Sequence, residues 1–232
     1  MSDHVTEEEP RLLTPGFVIT LGLLFVAGLA YALWGIAQVP EGELVPTHFD
    51  ASGQPDAYGS RWSLLLGPGV QLLVIVLVAI IPFIEPRRGH MQMSYGPLRV
   101  LIGALSVFFV GLTVVITETA LGREVDISQL MLIGMGAMFI VIGNLMGKIR
   151  STFTFGVRTP WTLTSERSWV ATHRLTGWIW VGIGLLAIVL GLLGMGEVGF
   201  WVFMIGIIGS LFVILPYSWW VWKQDPDKKE SF

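Results

Sequence analysis

Cysteine is missing altogether from this chain, so neither a disulfide framework nor a thiolate metal site exists and no redox compartment can be read from it. Charge is scarce as well: 13% of the 232 residues are Asp, Glu, Lys or Arg, and the formal net charge is -3. That balance excludes a protein that binds nucleic acid directly through a basic surface. Ionisable groups are nearly absent from the long apolar runs, whereas transporters and proton pumps tend to keep such groups near the membrane midplane. Glu118, near the end of one run, is the exception. Also missing are a phosphate-cradling glycine loop, a two-histidine zinc helix, a serine nucleophile elbow and a pair of glycine-broken helices in corresponding halves. No cofactor is expected from such a chain, and no catalytic residue stands out.

Apolar sequence is abundant. Hydrophobic residues make up 53% of the chain and its mean hydropathy is +0.70, far from the composition of a water-soluble domain. A helical crossing of a bilayer needs about 20 apolar residues. Six runs qualify, at roughly Gly16–Gln38, Ser63–Ile84, Leu98–Glu118, Gln129–Gly147, Leu175–Gly194 and Gly199–Trp222. Runs of this length are not the short alternating strands of a barrel, so the expected fold class is an all-α integral membrane protein with six transmembrane helices. The first run carries Ala30-Tyr31-Ala32, which resembles a cleavage site, but its flank is acidic and the apolar stretch continues, so it reads as a retained span. Pro82 and Pro216 are expected to kink or end their helices.

Orientation follows from the cations. With the N-terminus inside, twelve of the 14 Lys and Arg residues fall in inner segments and only Arg61 and Arg123 fall outside. That asymmetry predicts cytoplasmic N- and C-termini in a multi-pass cell-membrane protein. The acidic run 7–9 does not weigh against it. The expected organisation is a tail at 1–15, a membrane module at 16–120 with an outer polar loop at 39–62, a second module at 121–222 with an inner basic loop at 148–174, and a tail at 223–232.

The outer segment VPTHFDASGQPDAYGSR is turn-rich. Asp and Ser cap their own backbone, Gly allows positive φ and Pro presets φ, so a hairpin-like cap is expected, with Thr47, His48 and Phe49 in a short strand. Alternation would then put His48 and Asp50 on one face. Candidate ligand-binding residues here are Pro46, His48, Phe49, Asp50, Asp56, Tyr58 and Arg61. His48, Asp50 and Asp56 are also weak candidates for a metal site, although one imidazole and two carboxylates do not close one by themselves. With Glu118 they are a set from which an outer-face enzyme could be built, since a general acid and base need only proximity and suitable pKa values.

The inner segment, 143–174, is basic. Gly143 and Gly147 have the spacing that lets helices approach closely. Phe153–Gly156 reads as extended and Pro160 stops any helix before it. Thr164 is a good N-cap for a short helix, Ser165–Arg174, lying on the inner leaflet before the fifth span, with Trp169 and His173 on one face. Asn144, Lys148, Arg150, Arg158, Trp161, Arg167, Trp169 and His173 are candidates for docking a cytoplasmic protein, with contact to lipid phosphate as the alternative.

Taken together, the two polar segments resemble the SdpI family. Pro46, His48, Phe49, Gly53, Asp56 and Gly59 match the outer pattern of a membrane module that often precedes it. Gly143, Asn144, Gly147, Lys148, Arg158, Thr159, Pro160, Trp161, Thr162, Trp169, Thr172 and His173 match the family's second half. The resemblance implies a bacterial multi-pass protein that confers immunity to a secreted, membrane-active toxic peptide, with the lipid bilayer, that extracellular peptide and a cytoplasmic transcriptional repressor as partners. A small transporter or exporter, and a membrane-embedded enzyme or metal-binding protein using His48, Asp50 and Asp56, remain open alternatives.

Overall fold

The computed structural model describes residues 11–229; the acidic run 7–9 lies outside them. Six helices are long and apolar enough to cross a membrane. They are α1 (Pro15–Gln38), α2 (Leu66–Ile84, preceded by a 3-10 turn at Arg61–Leu65), α4 (Tyr95–Ala120), α5 (Ile127–Met146), α7 (Glu166–Leu192) and α8 (Gly196–Lys223). Two short helices, α3 (Arg88–Met93) and α6 (Pro160–Thr164), lie between spans at one end. A two-stranded hairpin, β1 (Leu44–Phe49) and β2 (Pro55–Ser60), lies at the other. The spanning helices expose rows of Leu, Ile, Val and Phe, the surface that lipid requires.

The helices pack in two groups. α1, α2 and α4 contact one another, α5, α7 and α8 do likewise, and α4 meets α5. The largest helix pairing is α5 with α7, and small residues make it possible. Gly136 and Gly143 on α5 face Gly184 and Gly177 on α7, both pairs spaced seven residues apart. A Cβ on Gly143 would sit 2.8 Å from the Gly177 carbonyl oxygen. Without side chains the two backbones approach closely, and dispersion replaces the hydrophobic drive that lipid cannot supply. The spacing that matters is therefore seven, not four: Gly147 caps α5 and lies at the exposed surface.

Several local expectations are corrected. The separate helix on the inner leaflet does not exist, because α7 runs unbroken for 27 residues from Glu166 into the bundle. Its N-cap is Ser165, whose side chain accepts from Ser168 N–H, not Thr164. Thr164 instead ends α6, a turn started by a capping box between Thr159 and Thr162 with Pro160 at N1. Phe153–Gly156 forms bends and pairs with no strand. Pro82 and Pro216 are accommodated inside α2 and α8 without ending them.

Candidate functional site

The hairpin is built by its turn. The Asp50 carboxylate accepts from Ser52 N–H at 2.9 Å, Ser52 Oγ at 2.6 Å and Gln54 N–H at 3.0 Å, an Asx-type lock. The Ser52 hydroxyl, then the backbone N–H groups, hold the Asp50 carboxyl below its ordinary range. Gly53 takes φ +83°, and a Cβ there would come 3.0 Å from Ser128 N, so the turn rests on the first turn of α5. At the other end Val45 is buried with Ala32, Ile36, Val39 and Leu64. Arg61 ties the stem by donating to the Val39 carbonyl at 3.1 Å and to Glu41 at 2.9 Å.

Register slips between Pro46 and His48 and between His48 and Phe49 break the strand alternation. His48 consequently pairs with Asp56, Nδ1 to Oδ1 2.6 Å, while Asp50 is held by its own turn. Glu118 accepts from Tyr31 OH and from Arg123. The proposed acid and histidine set is thus divided among separate partners. Among the described residues no three His, Asp or Glu side chains gather closely enough to hold a metal ion. That removes the metal site of His48, Asp50 and Asp56.

What the hairpin does create is a cavity of about 360 Å³ between itself and α4, α5 and α8. Phe49, Ile116, Met131, Met135 and Phe200 line it, with His48, Asp50 and Ser128 at its polar edge. Small-ligand cavities measure about 300–1,000 Å³ and share this pattern of apolar walls with a few polar groups. Pro46 is half-buried behind it, and Tyr58 stands exposed on the second strand.

The opposite end is a polar knot that sequence reasoning missed. Glu85, 1% exposed, caps α2 and gathers four donors: Arg87 N–H at 3.0 Å, Phe153 N–H at 3.1 Å, Thr154 N–H at 3.0 Å and Thr154 Oγ1 at 2.7 Å. Burial pushes its carboxyl up, but these hydrogen bonds outweigh it and hold it below the ordinary value. Arg87 stacks on the Phe153 ring and donates to Ser151 Oγ and the Leu163 carbonyl. In sequence, Glu85-Pro86-Arg87 looks like an ordinary charged flank; only the distant loop 151–154 makes it a hub.

The docking candidates divide in two. Asn144, Lys148, Arg150, Arg158 and Arg167 are exposed, and Trp161 is half-buried. Trp169 and His173, at 0% and 1% exposure, are core residues and not part of that surface. Their rings stack with centroids 4.0 Å apart. Trp169 Nε1 donates to the Ile149 carbonyl at 2.9 Å, His173 Nδ1 donates to the Trp169 carbonyl at 2.8 Å, and His173 Nε2 accepts from Val157 N–H at 2.9 Å. Both imidazole nitrogens are therefore committed, one as donor and one as acceptor, which is the neutral ring pinning loop 147–159 onto α7. Ser165 donates to Asp225, and Lys229 N–H reaches the Thr164 carbonyl, which bind the C-terminal segment into the same knot.

Comparison with known proteins divides along these features. Residues 148–218, from the loop after α5 through most of α8, match the SdpI/YfhL protein family. Residues 23–72, comprising most of α1, the hairpin and the start of α2, match a domain of unknown function, DUF1648. The chain is 35% identical over 71 residues to the immunity protein SdpI of Bacillus subtilis, covering 31% of this chain and 34% of that protein. It is 42% identical over 65 residues to an uncharacterized protein of Archaeoglobus fulgidus, covering 28% of this chain and 34% of the relative. The matches thus span about a third of each curated relative. No solved structure matches. With six helices long and apolar enough to span a bilayer, the chain is a multi-pass cell-membrane protein, and its second half is similar to the SdpI/YfhL protein family over residues 148–218.

Proposed function

We propose that this protein confers immunity on the cell that makes it, by capturing a secreted, membrane-active peptide in the cavity under the hairpin. The observation that carries the reading is the hairpin itself: a turn locked on Asp50 and seated on α5 roofs an apolar cavity of about 360 Å³ at one end of the bundle. A rigid polar rim over an apolar pocket suits an amphipathic peptide, whose hydrophobic side chains enter while its backbone and charges meet His48, Asp56 and Tyr58. The name of the Bacillus subtilis relative supports immunity. In this reading the hairpin end faces outward and both termini are cytoplasmic, as the placement of the cations supports. The two three-helix groups are the working modules, 16–120 and 121–222. The exposed Asn144, Lys148, Arg150, Arg158 and Arg167 form the surface on which a cytoplasmic repressor docks when peptide is bound. Relaying occupancy between the ends requires two helix arrangements with different affinity for the peptide.

The test is survival of a toxin-sensitive bacterial strain expressing the protein and challenged with membrane-active peptides. Beside the parent stand two variants of equal abundance, His48→Ala/Asp56→Ala at the rim and Met131→Trp in the cavity. Protection by the parent, lost in both variants, is the expected result. Protection that survives Met131→Trp places recognition elsewhere, and a parent that protects against no peptide overturns the immunity reading.

A further inference from the structure

We propose that a second cavity, at the end of the bundle opposite the hairpin, binds the headgroup of an anionic glycerophospholipid. The cavity measures about 580 Å³ and is bounded by Arg11 and Leu13, by Ala79 and Phe83 of α2, and by Arg88 and Gln92 of α3. Arg11, Arg87, Arg88 and Arg99 divide cleanly by their partners. Arg87 is held by Ser151 and the Leu163 carbonyl, and Arg99 by the carbonyls of Leu12 and Arg11. The guanidinium groups of Arg11 and Arg88 are exposed and have no hydrogen-bonding or ionic partner among the described residues. These two are the ones that line the cavity.

Two cations with no partner among the described residues call for an anion, and planar guanidinium groups suit phosphate oxygens. The remaining wall decides which anion. Phe83 is 78% exposed, and apolar surface continues from the cavity along α2, where acyl chains run. A free phosphate would satisfy the arginines and leave that wall untouched, while a zwitterionic lipid brings an ammonium group against them. An anionic phospholipid fits both halves at once, in the manner of basic pockets between helices at a membrane surface. The proposal is independent of the peptide reading and concerns different residues.

The experiment measures lipid retained by the purified protein from nanodiscs containing equal amounts of phosphatidylglycerol and phosphatidylcholine. A basic side chain near the surface favours anionic lipid about fivefold, so two give roughly a 25-fold preference for phosphatidylglycerol. Arg11→Gln/Arg88→Gln is expected to abolish it and Arg88→Gln alone to reduce it about fivefold. Arg174→Gln, which removes an exposed charge outside the cavity, leaves it intact. Equal retention of the two lipids by the parent overturns the proposal, as does an equal loss in Arg174→Gln. Displacement of the lipid by millimolar inorganic phosphate would show a free-anion site and overturn it too.

Discussion

Gly143 of α5 and Gly177 of α7 are in reciprocal backbone contact: a Cβ on Gly177 would lie 2.6 Å from the Gly143 carbonyl oxygen, and one on Gly143 2.8 Å from the Gly177 carbonyl oxygen. The nearest obstacle on each side is a backbone carbonyl, which cannot swing away as a side-chain end can. Gly177→Ala is therefore expected to separate the helices and destabilise the fold by about 1–3 kcal/mol, the usual cost of overpacking. Gly182→Ala, on the same helix but with open space around it, is expected to be neutral. Thermal unfolding in detergent distinguishes them, and equal loss in both would refute a packing role for the glycine pair.

Glu85, the buried one of the two carboxylates outside the spans that are held below their ordinary range, gives the fold a pH dependence. Its folded carboxyl titrates below the ordinary value of 4.5, so its contribution is fully present above that value and is lost as pH falls through the folded one. The parent should lose stability on acidification below about pH 4.5, and Glu85→Gln should show a flatter profile in that window. Glu85→Ala strands several buried donors, at a cost of about 1–3 kcal/mol for each one left unsatisfied. Melting temperature against pH for the three proteins decides the matter.

Gln71 is a polar side chain in the second turn of α2, 1% exposed, and neither its amide nitrogen nor its oxygen has a hydrogen-bonding partner among the described residues. Burying an unpaired amide is unfavourable, whereas an unbranched apolar side chain of similar size loses nothing there. Gln71→Met is expected to raise stability by about 1–2 kcal/mol. A lower melting temperature would show that the amide makes a stabilising interaction in the membrane.

Gly156 takes φ +106°, and a Cβ on it would meet His173 Nε2 at 2.5 Å. Gly156→Ala combines backbone strain with loss of the bond from Val157 N–H, so a cost of about 1–3 kcal/mol is expected. The loop should also loosen, seen as faster amide exchange over 150–159 with α7 still protected. Unchanged exchange there would sink the idea that His173 pins the loop.

The six spans are legible in the residues alone, because run length and composition are one-dimensional properties that a bilayer reads directly. So is the hairpin turn, because Asp50, Ser52 and Gly53 act on their own backbone within a few residues. The rest depends on contacts between segments far apart in the chain. His48 and Asp50 are two apart in sequence, yet a register slip gave His48 to Asp56 and left Asp50 to its turn. Trp169 and His173 look like an amphipathic face, yet loop 147–159 folds over them and makes them core. The same holds for Glu85, three of whose four donors lie 68 and 69 residues away, and for Arg11 and Arg88, which have no partner among the described residues. Burial, pairing and solitude depend on which distant segment arrives, and no local pattern encodes that.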